Sequence, residues 1–453
     1  MSFRIVITSI VMLFAIVMGI SPSYAERVTY SDVIKEAINN SARVRVKIED
    51  IRIAHALYKQ NYGSLYPEIS VNSRTERYEN LDKRSQGLDT ISGEIVGGDV
   101  SSWRSSVYLS GDYYISNWYK KRYEALYYEK LKDVRVHECA AETKKLLQEL
   151  TDVYSSMMEG KIKLRYGYDI LQRLKCIFAL KKETFAKGNL SYEDVIKSEA
   201  DVVNTDKEIA GIRKELKENL EKLISYTGKA YREETEMAEF VHGDQREFAS
   251  ISMAIEDTPE YKARMKEHEA QITRAKGSAN NLWPDISLYG RYDYYGSNAN
   301  GPDSAFSDVR EASYRVGMLI SIPLIDGGSR SWERKRSVYE IKKLEEGAKA
   351  VAEEQGRGIK TLSAGYTELS KAHKHYRKLA DQYGKMLDIT KKAHVLGERS
   401  VTDILEMEKD ALGIERDLKV TEHSMAAYEK RFFLATDYWK FMMEHYGDGA
   451  CKY

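Results

Sequence analysis

The chain contains two copies of one sequence pattern, and this duplication restricts the folds that are open to it. The hexapeptide Leu-Tyr-Pro-Glu-Ile-Ser at 65–70 returns as Leu-Trp-Pro-Asp-Ile-Ser at 282–287, an offset of 217 residues. A second pattern, Gly-x-x-Ser-x-x-Asp, occurs at 188–194 and again at 397–403, an offset of 209 residues. Because both pairs keep the same order and nearly the same spacing, we expect two halves built on one plan.

The N-terminus has the features of a secretory signal peptide. Arg4 precedes the apolar stretch Ile5–Ile20, and Ser23-Tyr24-Ala25 supplies small residues for cleavage after Ala25. An uncleaved membrane anchor is the alternative, although a bilayer span needs about 20 apolar residues. The predicted segments are the signal peptide (1–25), the first repeat (26–228), a linker (229–258), the second repeat (259–440) and a C-terminal tail (441–453).

Each repeat is expected to contain one very long helix. The chain has only 6 Pro in 453 residues, with none from Tyr119 to Lys187 or from Ser329 to Leu396. Because proline interrupts helices, these two stretches favour helices on the order of 100 Å long. Gly188 and Gly397 follow them at positions that suit a left-handed helix end.

A helix-start pattern follows each of these glycines. Ser191 and Ser400 are the predicted N-caps, and Asp194 and Asp403 stand three residues later, where the acid of a capping box belongs. We therefore expect two long antiparallel helical hairpins, each turning at its glycine and packed as a coiled coil.

Four segments between the helices alternate polar and apolar residues. They are 67–79, 101–115, 284–296 and 314–325, and each has the length of a tilted strand that crosses a membrane. A half-buried sheet of a soluble protein gives the same alternation, so that alternative stays open. In lipid, four strands would leave open edges, and the chain would have to form an oligomer. The high tyrosine content, 33 residues, fits a membrane-interface belt.

The charge and the cysteine content further restrict the classes of protein to which the chain can belong. The 70 basic and 70 acidic residues give a formal net charge of zero, which argues against a general nucleic-acid binder. Cys139, Cys176 and Cys451 are an odd number without a CxxC pair. We expect Cys139 and Cys176 to be buried free thiols in an exported protein that does not rely on disulfides. A bridge between these two residues is the alternative.

Local motifs of enzymes are absent from the sequence. It contains no phosphate-binding GxxxxGK, no zinc-binding HExxH and no GxSxG nucleophile motif. His373 and His375 lie two residues apart on a predicted helix, where side chains face apart, so a shared metal is not expected. We predict no enzyme activity, no cofactor and no metal site.

Taken together, these motifs resemble the TolC-type outer-membrane efflux and secretion channels. The resemblance rests on the signal peptide, the duplicated halves and the two repeated patterns. It also rests on the segment from Pro323 to Gly328, which is similar to that family's step from the last strand to a long helix. It covers nearly the whole mature chain.

The resemblance implies a mainly helical chain with membrane β structure. Duplicated coiled-coil hairpins would form an α-barrel, and four strands per chain would contribute to the twelve-stranded β-barrel of a homotrimer. The protein would lie in the outer membrane, among its lipid, with most of its mass in the periplasm. It would be the passive exit duct of a tripartite efflux pump or a type I secretion system. Its partners would be a periplasmic adaptor (membrane fusion) protein and an inner-membrane transporter of RND or ABC type.

The resemblance also assigns roles to residues near the two turns. Asp403 and Glu406 would form an acidic ring at the periplasmic entrance, although a helix-capping role is the alternative for Asp403. Asp194 and Arg399 would form a clasp that gates this entrance. His394, where some relatives have Tyr, would lie beside the clasp.

Further residues are implied to mark junctions and docking points. Partner proteins would dock at the helical turns, Gly188 and Gly397. Pro67, Pro284 and Pro323 would mark the junction between the helices and the membrane strands. The alternative to a channel is a periplasmic coiled-coil adaptor or scaffold with a soluble β-domain, which would not need two tyrosine-rich strand pairs.

Overall fold

The structure is a computed structural model in which most of the chain is described. The described residues are 27–79, 87–88, 95–96, 102–233, 235–240, 255–278, 284–298, 300–322, 325–447 and 450–451. The predicted signal peptide and Pro323 lie outside these residues.

Nine α-helices occur in the described residues, and the two longest follow the strand pairs. In the first half they are α1 (Tyr30–Asn40), α2 (Ala42–Gly63), α3 (Asn117–Ala186) and α4 (Tyr192–Thr227). In the second half, after a 3-10 turn (Ile255–Asp257), they are α5 (Pro259–Ser278), α6 (Pro302–Ser307), α7 (Ser329–Val395), α8 (Val401–Thr436) and α9 (Tyr438–His445). The two proline-free stretches are therefore helices, α3 of 70 residues and α7 of 67, as the sequence predicts. None of the helices in the described residues is both long enough and apolar enough to cross a bilayer.

The strands form one main sheet. The described strands are β1 (Glu68–Tyr78), β2 (Gly87–Leu88), β3 (Ile95–Val96), β4 (Ser102–Tyr114), β5 (Asp285–Asn298) and β6 (Glu311–Ser321). The long strands pair antiparallel in the order β1-β4-β5-β6, while β2 and β3 pair with each other. The sheet therefore joins the strand pair of one half to the strand pair of the other through β4 and β5.

The chain divides into two compact units that cut across the two repeats. The helical unit contains the described residues up to Ile48, those from His137 to Lys262, and those from Ala350 onwards. The strand unit contains Glu49–Val136 and Ala263–Lys349. Each unit thus takes segments from both halves of the duplication.

Aromatic side chains form the centre of the core in the helical unit. The Tyr30 ring centroid lies 5.3 Å from that of Tyr154, 5.0 Å from that of Phe240 and 5.8 Å from that of His445. Phe441 of α9 is fully buried and stacks on His445 at 4.3 Å. Such ring pairs contribute about 0.5–1.5 kcal/mol each beyond area burial. The end of the chain, predicted to be a tail from residue 441, is thus part of this core.

The predicted state of the cysteines is wrong at two positions. Cys139 is bonded to Cys451 in a disulfide across 312 residues, so it is not a free thiol. Cys176 is free, as predicted, but it is exposed rather than buried. Cys176 is exposed because it lies on the outer face of α3, whereas its neighbours Leu174 and Ile177 lie on the face that packs into the core.

Candidate functional site

The register of the main sheet collects apolar side chains on one face. Residues directly opposite each other in antiparallel strands share a face, and faces alternate along each strand. Apart from Leu319, the aliphatic side chains of the four strands therefore lie on the same side, while tyrosines occur on both faces. The apolar and aromatic residues of this face are Ile69, Val71, Trp103, Val107, Leu109, Tyr113, Ile286, Leu288, Tyr292, Tyr294, Ala312, Tyr314, Val316, Met318 and Ile320.

Most of this apolar face is uncovered within the chain, except at Ser105 and Gly296, where the backbone at Asp308 packs against it. Val316 is 82% exposed, Tyr314 76% and Val71 73%. Among the described strand residues, the only charged side chain on this face is Arg77, at the end of β1 opposite Trp103. A large uncharged surface of this kind marks contact with a membrane or another protein.

The opposite face of the sheet is polar and contains a charge network. Asp293 is only 3% exposed and accepts a hydrogen bond of 2.6 Å from Nε of Arg291. Arg315 contacts the same carboxylate at 3.5 Å, and the guanidinium of Arg291 lies 3.5 Å from the ring centroid of Tyr108. The burial of Asp293 is therefore compensated by two cations, and one of them is held by a cation–π contact. No local sequence pattern points to this network.

The sheet has two strands that are paired on one side only. Within the described residues, β1 pairs with β4 alone and β6 pairs with β5 alone. Each edge presents a row of backbone N–H and C=O groups that can accept a further strand. Two free edges next to a continuous apolar face form a surface that a second copy of the chain could extend.

The two helical turns have the same backbone geometry. Gly188 has φ 77° and Gly397 has φ 78°, so both are left-handed, as predicted. The amide of Asn189 bonds to the carbonyl of Thr184, and the amide of Glu398 bonds to that of Ala393. Each of these hydrogen bonds spans five residue positions, as the wider of the two bonds in a Schellman motif does. The two repeats therefore close their long helices by one mechanism.

The helices after the turns also begin in the same way. Ser191 Oγ accepts the amide of Asp194 at 3.2 Å, and Ser400 Oγ accepts the amide of Asp403 at 3.1 Å. The Asp403 carboxylate in turn accepts the backbone amide of Ser400 at 2.8 Å. This bond and a second one, donated to the carboxylate by the Ser400 hydroxyl, hold the pKa of the Asp403 carboxyl below its usual value. Asp403 thus caps its helix, and this role does not exclude a second role at an entrance.

The other predicted entrance acid is paired with a lysine. Glu406 Oε1 lies 2.9 Å from Nζ of Lys181 on α3, and both side chains are partly exposed. Two residues further along α8, Glu408 contacts Arg173 at 2.8 Å and Lys391 at 3.4 Å. These basic partners lie on α3 and α7, and they could not be predicted because the repeat pattern does not give the register between long helices.

The predicted clasp is not formed within one chain. Asp194 bonds to Ser191, and no hydrogen bond or ion pair joins Asp194 to Arg399, both of which are described. His394 Nδ1 lies 2.7 Å from the Arg399 carbonyl oxygen, so the imidazole donates to the turn. The Arg399 side chain is exposed and available to a group outside the chain.

The proline positions agree with a junction between helix and strand. Pro67 directly precedes β1, and Pro284 directly precedes β5. Proline is tolerated at the first position of a strand because no ladder bond is lost there. The third position, Pro323, lies outside the described residues.

Comparison with known proteins identifies the fold. The sequence matches no protein-family model and no curated protein. The structure is similar to that of the outer membrane protein VceC from Vibrio cholerae, with a TM-score of 0.73, 15% identity, and coverage of 89% of this chain and 95% of VceC. It is also similar to CusC, with a TM-score of 0.74, 14% identity and coverage of 89% and 91%. For the outer membrane channel CmeC from Campylobacter jejuni, the TM-score is 0.73 at 14% identity, with coverage of 88% of CmeC and 91% of this chain.

The chain has the fold of these outer-membrane proteins. The outer-membrane channel fold accounts for both features of the architecture, the paired long helices and the four-stranded sheet. The resemblance to TolC-type channels is thereby confirmed at the level of the fold. At this low identity, the roles of individual residues must be argued from the chain's own geometry.

Proposed function

We propose that the protein is a trimeric outer-membrane channel, the passive exit duct of a tripartite efflux pump or a type I secretion system. The observation that carries the proposal is the largely uncovered apolar face shared by all four long strands. Its residues can face lipid, while the polar face, with Asp293 and its arginines, can face water. A passive duct needs no catalytic group, which agrees with a sequence without enzyme motifs.

The two free edges of the sheet support a closed oligomer. An unpaired strand edge is not tolerated in the hydrocarbon of a bilayer, because its N–H and C=O groups have no partner there. Pairing β6 of one chain with β1 of the next satisfies both edges. Three chains then give a twelve-stranded barrel, and a homotrimer is the assembly we propose.

The helical turns supply the proposed entrance and gate. In a trimer, Asp403 and Glu406 would repeat around the entrance, where like charges favour cations over anions. Asp194 of one hairpin would bond to Arg399 of a neighbouring hairpin, because neither side chain is used in a clasp within its own chain. The adaptor protein and the inner-membrane transporter would dock at the turns around Gly188 and Gly397.

Membrane fractionation followed by bilayer recording tests the proposal. The expected result is a protein in the outer-membrane fraction, a trimer on unheated gels that becomes a monomer on heating, and stepwise conductance in planar bilayers. A monomer in the soluble periplasmic fraction without conductance would contradict the proposal and favour a periplasmic adaptor.

A further inference from the structure

The disulfide between Cys139 and Cys451 joins α3 to the end of the chain. The Cys139 side chain is fully buried, and the two Cα atoms are 6.0 Å apart. On the next turn of α3, Thr143 Oγ1 lies 3.8 Å from Sγ of Cys451. The bond therefore lies at the edge of the helical unit's core.

Noncovalent contacts bring the chain end to this position. In α9, Tyr438, Phe441 and Met442 are all buried in the core. Trp439 Nε1 donates to the carbonyl oxygen of Asp257 at 3.2 Å, next to the start of α5. Docking of α9 thus places residue 451 beside α3 before any covalent bond is needed.

We propose that the exported chain is a substrate of a protein thiol–disulfide oxidoreductase, and that the Cys139–Cys451 bond locks α9 onto α3. A disulfide of this kind persists in an oxidising compartment and is rare in the cytosol. The inference does not depend on the channel proposal, because the state of the thiols is measured without any transport assay.

The chemistry requires one oxidant and two exchange steps. The partly exposed Cys451 thiolate attacks the disulfide of the oxidoreductase, forming a mixed disulfide and releasing one thiolate of that enzyme. The Cys139 thiolate then attacks the Cys451 sulfur and displaces the second thiolate. The chain loses two electrons and two protons, and the oxidoreductase is reduced to its dithiol. We assign the first step to Cys451 because Cys139 is buried once α9 has docked.

Cys176 provides a control inside the same chain. It is free and exposed on α3, so it can react with a thiol reagent in the folded protein. It can also form incorrect pairs with either of the other cysteines during oxidation. C176S therefore removes both the background signal and the alternative pairings.

The first test counts thiols in C176S purified from the envelope fraction. The protein is denatured with an alkylating agent and analysed by mass spectrometry and on non-reducing gels. We expect no alkylated cysteine without reductant, two with reductant, and faster migration of the oxidised chain because of its closed loop. C176S produced in a host without its envelope thiol oxidase should contain two reactive thiols. Two reactive thiols in C176S from the normal host would overturn the inference.

The second test measures the effect of the lock. The variant C139A/C176S/C451A has no thiol at all, so it cannot mispair, and its matched control is C176S. We expect a lower thermal transition and faster proteolytic removal of the residues after Thr436. Failure of the triple variant to fold while C176S folds would also support the lock. Equal thermal transitions and equal proteolysis in the two proteins would overturn it.

Discussion

The ammonium group of Lys144 lies 3.1 Å from Oε2 of Glu260 and 3.2 Å from Oε1 of Gln355. The Lys144 side chain is only 1% exposed. It connects α3 to the first turn of α5 and to α7, at residues that all belong to the helical unit. Burial lowers the pKa of Lys144, and Glu260 opposes this shift. The charge of Lys144 therefore depends on its partners in the core.

We predict that removing the Glu260 charge alone destabilises the protein. Glu260→Gln leaves a buried ammonium with no anion, and the expected loss is about 2–3 kcal/mol, less than for a fully buried pair because Glu260 is partly exposed. Lys144→Met together with Glu260→Gln should recover most of the loss, since methionine fills a similar volume without a charge. Thermal unfolding of the single and double variants measures this coupling. Equal destabilisation in both variants would contradict the charge argument.

Replacing a turn glycine with alanine should lower the stability of the protein, whereas the same replacement within a helix should raise it. Gly397→Ala forces a Cβ into a left-handed backbone at φ 78° and should cost about 1–2 kcal/mol. Gly413, inside α8, has open space where a Cβ would stand. Gly413→Ala should therefore stabilise the protein by about 0.5–1 kcal/mol. Thermal unfolding distinguishes the two, and a stabilising Gly397→Ala would show that the turn is not left-handed in solution.

Acidic pH should lower the stability of the helical turn at Gly397, because Asp403 becomes protonated. Because the folded pKa of Asp403 lies below its ordinary value of 3.8, its contribution to stability is present above that pH and is lost as the pH falls through the folded pKa. Asp403→Asn should remove this part of the pH dependence. Thermal unfolding of the parent protein and of Asp403→Asn, measured at several pH values from neutral to acidic, tests this prediction. Glu398→Gln, which removes an exposed acid of the same turn, is the control for the loss of one negative charge.

The local parts of the fold follow from the sequence. Proline-free stretches predict α3 and α7, and the Gly-x-x-Ser-x-x-Asp pattern predicts both the left-handed glycines and the helix caps. These features depend on contacts between residues a few positions apart. Alternation also predicts four long strands, although β6 begins at Glu311, three residues before the predicted start.

Contacts between distant segments could not be predicted in the same way. The partner of Cys139 lies 312 residues away and is brought close only by the packing of α9. Glu406 pairs with Lys181 because α3 and α8 meet in one register among many that are compatible with their patterns. The burial of Lys144 likewise arises from the meeting of three helices, and a lysine in a charged helical sequence gives no local sign of it.

Replacing the arginine of the proposed clasp should open the channel. In a trimer, Arg399→Ser removes a charge-assisted bond worth about 1–3 kcal/mol at each of the symmetric positions. We therefore expect higher single-channel conductance or a larger open fraction in planar bilayers. Arg399→Lys keeps the positive charge and is the control. Unchanged conductance of a correctly trimeric Arg399→Ser protein would show that Arg399 does not hold the entrance closed.

Two successive residues of β6 can show which face of the sheet contacts lipid, because both lie at the same depth along the strand. Met318 and Leu319 are each 59% exposed, but their strand partners, Leu288 and Ser287, place them on the apolar and the polar face respectively. If the apolar face contacts lipid, Met318→Arg should cost about 1–3 kcal/mol per chain and reduce assembly in the outer membrane, whereas Leu319→Arg faces water and should be tolerated. The yield of heat-modifiable trimer in the membrane fraction measures both effects. Because the size and chemistry of the substitution are the same, equal yields would show that the two faces meet the same environment. A lower yield for Leu319→Arg would place lipid on the opposite face of the sheet.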